Sequence, residues 1–123
     1  MDDFLSTSWF ESLNATLRAA GPVPMAPRAA ALRVVLEFTG APASSPHALT
    51  LTLSPEEASA APGDHLGADA LVRLSYDDAL DLTLGRFDSA TALREGRLKI
   101  RGDVHALVPL LNWLQRTHPD YQP

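Results

Sequence analysis

The run Gly96-Arg97-Leu98-Lys99-Ile100-Arg101-Gly102-Asp103 constrains the fold of this chain more than any other stretch. Leu98 and Ile100 alternate with Arg97, Lys99 and Arg101, the period of a strand with one buried face and one cationic face. A glycine bounds the run at each end, where a chain leaves a helix or turns. Asp103 then takes the N-cap position before Val104, Leu107, Val108, Leu111 and Leu114, an apolar series at helical spacing. A strand with cationic edges is hinged by glycine to an apolar terminal helix. The rest of the chain must close one cavity or core against these two pieces.

Upstream, Leu5, Trp9, Phe10, Leu13, Leu17 and Ala20 share one side of a helical wheel, with Glu11, Asn14 and Arg18 on the other. Ser8 with Glu11 forms a capping box that starts the firm part of a helix at Trp9 and predicts it over 9–20, ended by Gly21-Pro22. A polar face with a single arginine reads as a helix packed on its own domain rather than a lid or a membrane-seeking helix. Pro22, Pro24 and Pro27 stiffen the following linker. Over 31–38, Leu32, Val34, Leu36 and Phe38 face one way and Arg33, Val35 and Glu37 the other. Over 48–53, Leu49, Leu51 and Leu53 repeat the pattern, and the two strands are predicted to pair antiparallel. Nothing local decides whether Ala58 to Ala61 pairs, because alanine has little strand propensity.

Ala70, Val72, Leu74 and Tyr76 predict a strand over 69–76. Asp77 or Asp78 then caps a short helix closed by Gly85, and Asp88 caps a second closed by Gly96. A strand over 97–101 and a helix over 104–117 complete the order. Pro109 lies inside that helix, where it removes one backbone bond at about 3 kcal/mol. A separate first turn or a kink is expected over 105–109.

The order of these elements resembles the sterol carrier protein-2 family. The residues that carry the resemblance are Ala68-Asp69 before a strand, Tyr76-Asp77-Asp78-Ala79-Leu80, Leu84-Gly85-Arg86, Ala92, and the run from Gly96 to Asp103 that begins eleven residues after Gly85. It is strongest over 68–114, within one domain spanning 1–123. The resemblance implies an α/β (α+β) fold: a mainly antiparallel five-stranded sheet with helices packed on one side around a hydrophobic tunnel. It implies that residues 58–61 form a short third strand. It also implies non-enzymatic binding or transfer of a lipid or other apolar small molecule of the fatty acid, acyl-CoA, sterol or isoprenoid class. On this reading the tunnel is lined by Leu80, Leu84, Phe87, Leu98, Ile100, Leu107, Leu110, Leu111, Trp113 and Leu114. An alternative is an accessory or scaffold protein that presents a lipid or quinone intermediate to enzymes of that pathway.

The chain has no cysteine, which excludes disulfides and thiolate sites. His47, His65, His105 and His118 fall in separate elements, without the close pairing of a zinc site. Asp103 with His105 could serve a hydrolase as an acid–base dyad, but a helix cap followed by a half-exposed histidine is the simpler account. Asp77, Asp78 and Asp81 lack the glycine and terminal glutamate of a calcium loop, and first-turn acids suit a helix dipole. No catalytic residue, metal or cofactor is therefore expected. Arg97, Lys99 and Arg101 on one strand face read as solvated charges guarding an edge.

A net charge of −5 argues against nucleic acid and against adhesion to anionic membranes. No apolar run reaches the ~18 residues of a membrane span, Met1-Asp2-Asp3 lacks the layout of a signal peptide, and Tyr121-Gln122-Pro123 is no peroxisomal address. A cytoplasmic location without stable membrane insertion is the expectation. One lysine beside nine arginines suggests a GC-rich bacterial genome.

Overall fold

The computed structural model describes residues 4–23, 30–43, 45–64 and 67–117, with the side chains of residues 104–106 outside that description. The element order is α1 (Thr7–Ala19), β1 (Leu32–Thr39), β2 (Ala48–Leu53), β3 (Ala58–Pro62), β4 (Ala70–Ser75), α2 (Tyr76–Thr83), α3 (Ser89–Arg94), β5 (Lys99–Arg101) and α4 (Val104–Arg116). The Pro24 and Pro27 part of the expected stiff linker lies outside the described residues.

The five strands form one sheet in the order β3-β2-β1-β4-β5. Three pairings are antiparallel and one, β1 with β4, is parallel, so the mainly antiparallel sheet is mixed. The parallel pair arises because the chain leaves β3 on one flank and must cross two strands to reach β4. The described part of that crossing, which includes Asp64, Ala68 and Asp69, borders the face opposite the core, where Thr50 Oγ1 donates to the Gly63 carbonyl at 2.8 Å. It explains why Val35, placed outward by the alternation, is only 4% exposed. The inner face carries Val34, Leu36, Phe38, Leu49, Leu51, Leu53, Val72 and Leu74, all buried in a single apolar core with the helices.

Several ends differ by a few residues from the sequence reading, each for a local reason. Ser6, not Ser8, caps α1 by accepting from the Trp9 N–H at 3.2 Å. Leu5 before it and Phe10 four residues after it are both buried, the arrangement of a hydrophobic staple. Ser75, not Asp77 or Asp78, caps α2 by accepting from the Asp78 N–H at 3.0 Å, so Tyr76 is helical rather than the end of a strand. Asp88 does cap α3, through the Thr91 N–H at 3.0 Å. That bond, with a second from the Thr91 hydroxyl at 2.8 Å, holds the Asp88 carboxyl below its ordinary value. α3 closes with Gly96 at φ +76°, its N–H on Leu93 and the Arg97 N–H on Ala92, a Schellman pair. The same pair of bonds closes α2 at Gly85 and Arg86.

The expected strand over 97–101 shortens to Lys99–Arg101. Arg97 therefore does not share a strand face with Lys99 and Arg101. It pairs with Glu95 at 2.9 Å and Asp78 at 3.2 Å, and its guanidinium stands 5.8 Å from the centre of the Phe87 ring. The Glu95 hydrogen bonds, then the nearby Asp78 charge, raise its already high pKa. The terminal helix shows no separate first turn: α4 runs as one element through Pro109, which is exposed. Pro109 lies on the solvent side, and one lost backbone bond does not end a helix held by its apolar face.

Candidate functional site

The apolar spacing of α4 sets Leu107, Leu110, Leu111 and Leu114 along one side and Trp113 on its flank. That side faces Val34 of β1, Leu51 and Leu53 of β2, and Leu17 of α1. Together these nine residues enclose a cavity of about 10 Å³, roughly the space of one water molecule. Ligand sites for small molecules commonly run to about 300–1,000 Å³, so this one is closed in the conformation described. Among the described residues its wall carries no charged side chain, and the Trp113 indole N–H is the only side-chain donor in it.

Of the ten residues expected from the resemblance, five meet at this cavity: Leu107, Leu110, Leu111, Trp113 and Leu114. The other five lie elsewhere. Leu80 and Leu84 are half-buried on and after α2, and Leu98 is buried just before β5. Phe87 is buried, with its N–H on Gln115 Oε1 at 2.9 Å. Ile100, half-buried, pairs with Val72 in the sheet. The sequence reading missed Leu17, Val34, Leu51 and Leu53 as lining. Their alternation and helical stripe had turned each of them inward, so the signal was present. What no local pattern contains is that three separate segments converge on one space.

Gln115 is the buried polar residue of this end, 4% exposed. Its bond to the Phe87 N–H ties the last turn of α4 to the segment between α2 and α3. The half of α4 that lines the cavity is thus anchored at its far end. At its near end the Leu107 N–H donates to the Asp103 carbonyl at 3.0 Å, at the start of the helix.

The side chain of His105, and all of His65 and His118, lie outside the described residues, and His47 is exposed. The hydrolase reading through Asp103 and His105 therefore has no described geometry. Among the described residues no group of three or more histidine, aspartate or glutamate side chains is placed to hold a metal ion. No described helix is long and apolar enough to cross a membrane.

A family model described as the SCP-2 sterol transfer family matches residues 13–114. No curated protein matches the sequence. Several solved structures share the fold. A crystal structure of sterol carrier protein 2 is 20% identical with a TM-score of 0.63, covering 94% of each chain. A UbiJ-SCP2 ubiquinone synthesis protein is 16% identical with a TM-score of 0.58, covering 90% of this chain and 93% of that one. The inverting sec-alkylsulfatase Pisa1 from Pseudomonas sp. is 19% identical with a TM-score of 0.61 over 86% of this chain. This chain spans only 16% of that enzyme's length.

Proposed function

The chain belongs to the SCP-2 sterol transfer family, and from that premise we propose that it binds a lipid or other apolar molecule non-covalently between α4 and the sheet. The observation that carries this reading is the cavity wall: nine aliphatic or indole side chains drawn from α1, β1, β2 and α4, with no charged group among them. Burial of a hydrocarbon chain there yields about 0.8 kcal/mol per methylene without any fixed polar contact. The closed cavity means that α4 moves away from Leu51 and Leu53 as a chain enters. Leu107, Leu110, Leu111, Trp113 and Leu114 then line the bound chain, with Leu17 and Val34 opposite.

Native mass spectrometry of the freshly purified protein tests the reading. A lipid bound one to one, released by mild activation, is the expected result. A second reading, presentation of a lipid or quinone intermediate to partner enzymes, is compatible with the fold shared with a ubiquinone synthesis protein. A stable complex with such enzymes in the same spectra favours it. Absence of any bound lipid, together with no uptake of added fatty acid, excludes both.

A further inference from the structure

The face of the sheet turned away from the helices holds a second, larger space. It is a cleft of about 240 Å³ between the sheet and the described residues Asp64, Ala68 and Asp69 of the crossing from β3 to β4. Its floor is Val35 and Leu71, with Ala70 at one end, and the charged residues of its described lining are Glu37, Asp64, Asp69 and Arg101. Two of these acids are already engaged. Glu37 Oε1 pairs with Arg73 at 2.8 Å, and Asp69 Oδ2 accepts the Arg33 N–H at 2.8 Å. Asp64 and Arg101 are both exposed, and neither has an ion-pair partner among the described residues. They border the same cleft without pairing with one another, and apolar side chains lie in the floor they share.

A guanidinium is shaped to take a carboxylate through two parallel bonds, and a free carboxylate suits an ammonium. An inorganic anion at Arg101 leaves Asp64 unmatched. A plain amine at Asp64 leaves Arg101 unmatched. A wholly apolar ligand leaves both charges unmatched. We propose that this cleft binds a small zwitterion, an amino acid with an apolar body, its ammonium at Asp64, its carboxylate at Arg101 and its body over Val35 and Leu71. The site is separated from the cavity under α4 by the thickness of the sheet, and it stands or falls independently of lipid binding.

Titration of leucine and of 6-aminohexanoate into the nitrogen-15-labelled protein, followed by NMR, is the test. Saturable shifts at Val35, Ala70, Leu71 and Arg101 are the expected result for at least one of the two. Leucinamide, which lacks the carboxylate, and N-acetylleucine, which lacks the ammonium, should bind about tenfold more weakly or worse. Arg101→Gln and Asp64→Asn should each weaken the zwitterion by a similar factor at an unchanged melting temperature, since both positions are exposed. The proposal is overturned by no saturable shift up to about 10 mM, which corresponds to less than roughly 3 kcal/mol of binding. Equal binding of the singly charged controls, or shifts confined to residues 107–114, overturns it as well.

Discussion

Asn14 does at the outer strand β3 what another strand does elsewhere in a sheet. Its Oδ1 accepts the Ala60 N–H at 2.7 Å and its Nδ2 donates to the Ala60 carbonyl at 3.0 Å. Both free backbone groups of one edge residue are thereby matched, which blunts an edge that would otherwise invite another chain. Asn14→Ala leaves the two groups without partners and should cost about 1–3 kcal/mol, read from urea unfolding. Gly102 is constrained differently: at φ +135°, an added Cβ stands 3.1 Å from that of Ala70. Gly102→Ala should therefore destabilise by about 1–3 kcal/mol in the same assay. At Asp88 the effect is one of pH. Its folded pKa lies below the unfolded one because it accepts bonds from Thr91. The stabilisation is present above the ordinary carboxylate range and is lost as pH falls through the lowered folded value. Asp88→Asn should flatten the acid limb of melting temperature against pH, at and below the ordinary carboxylate range, relative to the parent.

At the scale of the element, α4 is a helix with two anchors and a gap between them. Gln115 fixes one end to Phe87, and Leu107 packs at the other beside Gly102. Pro109 has no N–H, so the carbonyl of residue 105 lacks its helical donor and the turn between the anchors is the weakest in the helix. On the proposed function, this is the turn that flexes when a cavity of about 10 Å³ admits a chain. Pro109 is exposed, so Pro109→Ala restores the bond without opening a void. Stability should rise by up to about 3 kcal/mol, and fatty-acid entry and release should both slow in stopped flow. Trp113, half-buried beside the cavity, reports the event once Trp9→Phe removes the other indole. A saturating fatty acid that leaves Trp113 emission and amide exchange over residues 107–117 unchanged places entry elsewhere.

For the whole molecule, the chemistry of the cavity wall predicts how ligands rank. With no charged side chain among the nine lining residues, affinity should follow the tail and be nearly indifferent to the head group. Within a series of saturated chains each added methylene should tighten binding by about 0.8 kcal/mol, roughly fourfold in Kd, until the chain outgrows the space. A fatty acid and the alcohol of equal length should agree within a few-fold by isothermal titration. A large preference for one head group assigns a polar contact that the described wall does not contain.

How much of this was legible in the chain follows from the range of each interaction. Alternation over 31–38 and 48–53 placed Val34, Leu51 and Leu53 inward, because a pleated strand turns successive side chains to opposite faces whatever it pairs with. The helices were legible from their apolar stripes and from Asp88, Gly85 and Gly96, since a cap acts within one turn. The expected caps Ser8 and Asp77 or Asp78 lie two to three residues beyond the actual caps Ser6 and Ser75, because each end offers several competent caps and packing selects among them. β3 was illegible by itself: Ala58-Ser59-Ala60-Ala61 has little propensity, and its order comes from β2 on one side and from Asn14, 46 residues away, on the other. The parallel pairing of β1 with β4, the burial of Val35 and the cleft above it all follow from where the crossing from β3 runs. Local pattern decided which face of each element is apolar. Tertiary structure decided which of those faces meet, because that depends on contacts between segments that share no turn or hydrogen-bond ladder.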